Sequence, residues 1–386
     1  MLNYFHRLKS EDRPQKLIMM VAFSSILNPA ISITVLALFF IYLWMKDEVF
    51  INFEQPGLFR WTLIILAVST ALSVYFGNVI GYLMTLWFFL LSFFLSYCYR
   101  HLNYEMSDFI LDHLFYFSIY LAFWGALQYL LSYFVTPNVL TSFTGIDNHR
   151  AVATFLNANY YSIMIQFFIL YGVFKMIVEP THSRWYYLII LFINLVALML
   201  TGSRAGLGAL LIAITVLVLL LIPKLAGLFL LAVGSIMIFI ALFVPQLLVR
   251  FGSLAAGFLN RNDILLIGLA RFFNNPFFGE GLFTISNVLH PLVRRIKTIH
   301  SHNLFLEPFI NFGILPILLF FPFARVLRRV FLVIKAEGGS FYKLILAFIV
   351  MILIHGTVDI PFFFPPFLVL FSCLILGRTP RSAGRE

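Results

Sequence analysis

Residues 201–222 read TGSRAGLGALLIAITVLVLLLI, and the only charged residue in this stretch is Arg204. A helix needs about 20 apolar residues to cross the hydrocarbon core of a bilayer, so the stretch predicts a membrane-spanning helix with an arginine at its start. The whole chain has the same character, since 62% of its 386 residues are hydrophobic and 11% are charged. This composition excludes a soluble protein and predicts an integral membrane protein.

Further apolar runs predict the rest of a helical bundle. The first run contains Asn28-Pro29-Ala30, where proline removes a backbone donor and forces Asn28 towards an extended conformation, which favours two helices over one. The expected fold is then all-α and polytopic, with about 12 transmembrane helices. The runs lie at 17–45, 61–76, 79–99, 108–134, 155–177, 185–203, 204–222, 225–244, 303–324, 341–360 and 361–377.

The distribution of basic residues predicts the orientation of these spans. Short loops rich in lysine and arginine remain in the cytoplasm, and with two helices in the first run both termini and residues 325–343 fall on that side. We therefore expect a single membrane domain, 1–386, in which residues 245–302 form an extracytoplasmic loop between spans 9 and 10. Within this loop, residues 261–273 have the apolar spacing of a short amphipathic helix.

Several basic residues fall outside the cytoplasm, against the usual charge bias. They form either a surface for lipid headgroups or a pocket for an anion. Phosphate-binding glycine loops are not found in the sequence, so a nucleotide substrate is not indicated. The outward basic residues are Arg150, Arg204, Arg250, Arg261, Arg271, Arg294, Arg295 and Lys297.

Two of these arginines have neighbours that favour anion binding. Arg204 begins a helix, where free backbone N–H groups attract anions, although an arginine at this depth also serves as an interfacial anchor. Arg261 opens RNDILLIGLARFFNNPFFGEG (261–281), a stretch with turn residues near its end, although a lone loop arginine is often only solvated. Arg204 and Arg261 are the candidate phosphate ligands.

Histidines supply a candidate proton acceptor. In HSHNLFLEPFINFGILP (300–316), His302 precedes Asn303 and Glu307 at the predicted membrane boundary, where an imidazole is suited to exchange protons near neutral pH. His300 is the less favoured partner, because two positions away it need not share the environment of His302. A purely structural interfacial histidine is the alternative.

Two further groups are candidates for support of the site. His355 and Asp359, four positions apart, are predicted to share one helical face, either as a local capping pair or as second partners of the site. Asn157 and Asn159 begin another span, where their amides either bind sugar hydroxyls or cap the helix. The outward carboxylates are widely spaced, so we expect no metal site and no cofactor.

Several motifs together resemble the O-antigen ligase and Wzy-type polymerase family of bacterial membrane proteins. The most specific is His302-Asn303, nine residues, then Gly313-x-x-Pro316, in which the family's second glycine is replaced by proline. Leu265 stands where the family often has tryptophan. The motifs, in the family's order, are HRAVATFLNANYYS (149–162), TGSRAG (201–206), RNDILLIGLARFFNNPFFGEG (261–281), HSHNLFLEPFINFGILP (300–316) and HGTVDIPFFFPP (355–366).

The resemblance implies a fold like that of the type C glycosyltransferases and an undecaprenyl diphosphate-linked glycan as donor. It implies that Arg204 and Arg261 bind the diphosphate and that His302 activates an acceptor hydroxyl, without a metal and with inversion at the anomeric carbon. The acceptor would be a glycan or glycolipid, at the extracytoplasmic side of the bacterial inner membrane, and no nucleic acid is expected. Candidate substrate contacts are Arg150, Asn157, Asn159, Asn303, Arg271, Glu307, His355 and Asp359.

Three alternatives to a ligase remain open in the sequence. A Wzy-type polymerase would use the same chemistry on another lipid-linked repeat unit. A transporter or flippase of lipid-linked sugars would place charges deep in several spans and show two-halves symmetry, whereas these arginines lie at predicted helix ends. A non-catalytic scaffold would not need His302.

Overall fold

The structure is a computed structural model that describes residues 13–48, 57–134, 150–155, 157–179, 184–224, 227, 254–287, 300–337 and 339–376. Within these ranges the regular elements are helices, and no strand occurs. Apart from residue 227, the predicted span 225–244 lies outside the described residues, as do residues 245–253 and 288–299 of the predicted loop. The helices are α1 (Arg13–Leu27), α2 (Pro29–Met45), α3 (Gly57–Tyr75), α4 (Val79–His101), α5 (Tyr104–Leu131), α6 (Ala158–Val178), α7 (Arg184–Thr201), α8 (Arg204–Leu221), α9 (Leu254–Asn274), α10 (Glu307–Phe312), α11 (Ile317–Glu337), α12 (Ser340–Gly356) and α13 (Pro365–Leu376).

Five of these helices, α4 to α8, are long and apolar enough to cross a membrane. Shorter apolar helices include α2, α12 and α13. The described part of the chain is thus all-helical, and these helices indicate a multi-pass membrane protein. The predicted total of about twelve spans stays a prediction.

The break in the first apolar run is confirmed. Asn28 separates α1 from α2 and caps α2, its side chain accepting a hydrogen bond from Ala30 N, and Pro29 occupies the first turn, where no N–H is needed. The Asn28 amide donates to Thr154 O, and Thr154 Oγ1 donates to Ile26 O. These two hydrogen bonds hold the segment that carries Arg150 against the break between α1 and α2.

Helix α6 is the centre of the bundle. It packs against α5, α7, α8 and α12, and its residues from Tyr161 to Leu170 are buried without interruption. A helix that is apolar all round is expected at such a central position. Helix α6 begins at Ala158, between the candidate substrate contacts Asn157 and Asn159. Because α6 packs against α8 and α12, these two asparagines lie near both helices.

The predicted span 303–324 differs from the structure. Helix α10 ends after Phe312, and a turn at Gly313–Pro316 separates it from α11. Gly313 has φ 60° and lies against the backbone of Phe277 and Phe278, where a Cβ atom would clash. The apolar run alone did not reveal this break, although Gly313 and Pro316 are both residues that interrupt helices.

Candidate active site

A short turn, His300-Ser301-His302, carries the predicted proton acceptor. His302 has φ 55°, a left-handed conformation that is rare for residues other than glycine. Its backbone N–H donates to His300 Nδ1 over 3.2 Å, and Ser301 N donates to Glu307 Oε2 over 2.6 Å. The turn is therefore held by side chains on both sides of His302.

Asn303 fixes the other end of this turn. Its Oδ1 accepts hydrogen bonds from Phe305 N and Leu306 N, each at 2.9 Å, and its Nδ2 donates to Thr357 O at 3.3 Å. Leu304 N also donates to Gly356 O at 2.7 Å. These bonds dock the histidine turn onto the end of α12.

Asp359 lies just beyond α12 and faces both histidines. His300 Nε2 and His302 Nδ1 are each 4.0 Å from Asp359 Oδ1, and the two imidazole rings meet edge to face with centroids 4.2 Å apart. We refer to His300, His302 and Asp359 as the histidine cluster. Asp359 follows the helix instead of sharing its face with His355, as the spacing had suggested, but Asp359 N still bonds to His355 O.

Burial sets the charges in the histidine cluster. Burial and the neighbouring His302 lower the pKa of His300 to about 3, so His300 is neutral at pH 7. Burial alone would raise the pKa of Asp359, but the three neighbouring histidines and a hydrogen bond from Ile360 N outweigh it and hold the pKa below its usual value. Asp359 is therefore a buried anion.

The three residues of the histidine cluster are of types that bind metal ions, so their geometry bears on whether an ion fits there. One ligand atom from each of its three residues lies within 4.8 Å of the others, close enough for an ion to bridge them. However, His300 Nδ1 accepts a hydrogen bond from His302 N, so the proton of the neutral ring sits on Nε2, the atom that faces Asp359. A metal at Nε2 would require removing that proton as well, which disfavours a metal here.

Arg204 occupies the first turn of α8, as predicted. Ser203 caps this helix, its side chain accepting a hydrogen bond from Gly206 N. Gly206 packs so closely against Ser162 and Gln166 of α6 that a Cβ atom would clash with both. Because Gln166 is bonded to His355 Nδ1 at 3.1 Å, the first turn of α8 lies one side chain away from His355.

Arg150, Asn157 and Asn159 are brought together at the start of α6, and Arg150 also bonds to α7. The Arg150 guanidinium donates to Thr201 O at 2.6 Å and to Asn159 Oδ1 at 3.1 Å. Asn157 caps α6 by accepting from Asn159 N. This arrangement fits the capping alternative and ties the start of α6 to the turn before Arg204.

Helix α9 includes residues 261–273, for which an amphipathic helix is predicted, and it carries Arg261, whose side chain is not described. The helix docks on α10 through Gly268, whose Cα lies against Ile310 with no room for a Cβ atom. Arg271, a predicted substrate contact, instead reaches the buried Glu280 carboxylate at 3.3 Å. The helix bearing Arg261 is thus packed on the helix that follows His302.

Sequence reasoning missed two partners of the site. His300 was set aside because of its spacing from His302, but the left-handed turn at His302 brings the rings into contact. Gln166 is the other: a glutamine within an apolar span is costly unless it has a partner, and that rule identifies it from sequence.

Residues 189–321 match the family model described as O-antigen ligase. This region includes Arg204, α9 with Arg261, the histidine turn and Glu307. No curated protein matches the chain. The family match gives no support to the transporter alternative. Over these residues, about a third of its length, the chain is similar to the O-antigen ligase family.

Proposed function

We propose that this protein transfers a glycan from undecaprenyl diphosphate to a hydroxyl of an acceptor glycan or glycolipid, as a ligase at the extracytoplasmic face of the bacterial inner membrane. The observation that carries the proposal is the pairing of a partly exposed His302 with the buried Asp359 carboxylate. The ligase reaction is preferred because the matching family model is described as O-antigen ligase. A repeat-unit polymerase differs from it only in the acceptor.

His302 is assigned the role of general base. Its Nδ1 faces Asp359, so the anion favours the tautomer that carries a proton on Nδ1 and leaves the lone pair on Nε2 for the acceptor hydroxyl. As the acceptor oxygen bonds to the anomeric carbon, its proton moves to Nε2 and the imidazolium formed is stabilised by Asp359. The His302 side chain is 20% exposed and Asp359 is 6% exposed, which fits an acceptor reaching the first and not the second.

Arg204 and Arg261 are assigned to the diphosphate. The bond between the anomeric carbon and the phosphate oxygen breaks with its electron pair remaining on the diphosphate, so negative charge grows there during the step. A guanidinium offers two parallel N–H donors to phosphate oxygens, and Arg204 lies among the free N–H groups at the start of α8. Stabilisation of this leaving group replaces a metal ion in the proposal, and direct displacement inverts the anomeric configuration.

Reconstitution in liposomes tests the proposal. The purified protein is supplied with a defined undecaprenyl diphosphate-linked glycan and either a lipid A-core glycolipid or a second lipid-linked repeat, and the products are identified by mass spectrometry. Glycan joined to the glycolipid supports a ligase, and glycan joined to the second repeat supports a polymerase. Movement of the donor between leaflets without bond transfer would overturn the enzymatic proposal in favour of transport.

A further inference from the structure

Glu307 is a fully buried carboxylate placed directly beneath the histidine turn. None of its surface is exposed, and its two oxygens have different partners. Oε2 accepts a hydrogen bond from Ser301 N at 2.6 Å, and Oε1 accepts one from Asn311 Nδ2 at 3.2 Å. A side chain with no exposed surface cannot contact a substrate, although the sequence had suggested that role for Glu307.

The contact with Ser301 matters because the next residue is strained. A left-handed conformation costs a residue other than glycine roughly 1–2 kcal/mol, so His302 keeps it only where the surroundings impose it. The bond from Ser301 N holds the peptide between His300 and Ser301, one residue before His302. Asn303 Oδ1 holds the backbone that follows at Phe305 and Leu306. The His302 ring is directed towards Asp359 by this backbone geometry.

We propose that Glu307 is a positioning residue for His302: its carboxylate holds the Ser301 backbone so that the His302 ring faces Asp359 in the orientation that proton transfer needs. The inference rests on the proposed glycosyl transfer, in which His302 is the base. Two N–H donors converge on Glu307, and only a carboxylate offers acceptor oxygens to both without presenting a donor of its own. A glutamine of nearly the same size would set its own NH2 group against one of these donors.

The same carboxylate connects the turn to the loop that follows α9. Asn311, bonded to Glu307, accepts a hydrogen bond from Gly281 N at 3.0 Å through its backbone oxygen. Gly279 packs against the Asn311 backbone with no room for a Cβ atom. Asn311 and Glu307 therefore connect the loop at residues 275–281 to Ser301, the residue before His302.

The test compares Glu307→Gln with Asp112→Asn in liposomes at pH 8. Burial raises the pKa of Glu307 to about 7, against the opposing bonds from Ser301 and Asn311, so at pH 8 the wild-type residue is an anion. Asp112→Asn is the matched control, because it also changes a bonded carboxylate to an amide, in this case one that pairs with Lys175 near the far end of α6. Turnover, donor affinity and thermal unfolding are measured for both variants.

For Glu307→Gln we expect kcat to fall about 100-fold, the loss typical of a catalytic group displaced by about 1 Å, with donor affinity within about 3-fold of wild type. Asp112→Asn should unfold at a lower temperature and keep its kcat. Equal kcat in Glu307→Gln and wild type overturns the inference, as does an equal loss in both variants, which would indicate a general effect of stability. If wild type itself forms no product, the proposed function fails instead.

A second variant covers the case in which Glu307→Gln does not fold. Asn311→Ser removes the bond to Oε1 and leaves the Glu307 carboxylate and its bond to Ser301 N in place. We expect a smaller loss in kcat, about 10-fold. The bond from Ser301 N to Glu307 remains, but the Glu307 carboxylate is held less firmly without Asn311. Unchanged kcat in a folded Asn311→Ser protein would also count against the inference.

Discussion

Two groups of buried charged side chains lie near opposite ends of helix α6, and they are built differently. Near its first turn, Tyr160 approaches the ring of His300 in the histidine cluster. In its last turn, Lys175 is 3% exposed and pairs with three carboxylates, which together with it we call the lysine cluster. The carboxylates are those of Asp108, Asp112 and Glu179.

The lysine cluster is tight and regular. Its N–O distances are 3.2, 3.1 and 2.8 Å, and the residues stand on or directly beside the regular helices α5 and α6. Its lysine is buried and its carboxylates are partly exposed, so removal of the lysine leaves the carboxylates without their cation and destabilises the fold. None of its four residues has a left-handed backbone conformation.

The histidine cluster is loose and irregular. Its imidazole nitrogens lie 4.0 Å from the carboxylate, beyond hydrogen-bonding distance, and its residues stand on turns, one of them left-handed. Sparsely populated backbone conformations persist where the surrounding structure imposes them, and they are concentrated at functional sites. The comparison supports a structural role for the lysine cluster and agrees with the catalytic role proposed above for the histidine cluster.

Of all the changes predicted here, removal of the His302 imidazole should lower the proposed activity most. Asparagine tolerates a left-handed conformation better than most residues, so His302→Asn removes the base while preserving the turn. We expect glycosyl transfer to fall about 100- to 10,000-fold, the usual contribution of a general base. The initial rate of product formation and the thermal unfolding curve are measured together, and an active His302→Asn protein would refute the assignment.

Replacing the arginine at the start of α8 should have the next largest effect. Arg204→Ala is expected to lower transfer about 100- to 1,000-fold, the cost of removing one donor to a developing negative charge. Arg204→Lys should retain only part of the activity, because lysine lacks the planar guanidinium with its paired N–H donors. Arg184→Ala is the control, since Arg184 likewise begins a helix but is exposed and belongs to no predicted site. Equal activity in the Arg204 and Arg184 variants would contradict a phosphate-binding role.

The sequence predicted local features of the site better than its folded turns. The break at Asn28, the helix start at Arg204 and the helix at 261–273 follow from proline, capping and apolar periodicity, which act over a few neighbouring residues. The contact between His300 and His302 depends instead on a left-handed backbone, and no local rule assigns that conformation to histidine.

Contacts between distant segments were also beyond local reasoning. Glu307 was grouped with the substrate contacts because it follows His302 closely in sequence, whereas its role depends on being buried beneath the turn. The pair of Gln166 and His355 joins two helices separated by 189 positions, and only packing of the bundle reveals it. Such contacts become predictable when covarying positions are known.

Breaking the lysine cluster should change stability and spare activity. Lys175→Met leaves three carboxylates together without their cation. We expect the free energy of unfolding to fall by about 2 kcal/mol. This is less than the roughly 3–5 kcal/mol lost when a fully buried pair is broken, because the carboxylates are partly exposed. Thermal unfolding measures the loss, and turnover per folded molecule should match wild type. Lys335→Met, at an exposed position of α11, is the control and should unfold like wild type.

An effect of similar size is expected from the pH dependence of stability at His300. Its pKa is about 3 in the folded protein and 6.5 in the reference state, so the folded protein favours the neutral ring. This contribution to stability is complete above pH 6.5 and is lost as the pH falls towards 3. Between pH 7 and pH 5 the loss is about 2 kcal/mol.

Protonation of Glu307 changes the stability in the opposite direction as the pH falls. The effect of His300 is therefore measured as the difference between wild type and a His300 variant. Burial raises the pKa of Glu307 to about 7, and its protonation therefore stabilises the fold as the pH falls from 7 towards 4.5. His300→Gln removes the first effect and keeps the second, so the variant should gain stability relative to wild type on moving from pH 7 to pH 5. Thermal unfolding at the two values measures this, and a pH-independent difference between the proteins would mean that His300 is not buried as a neutral ring against Asp359.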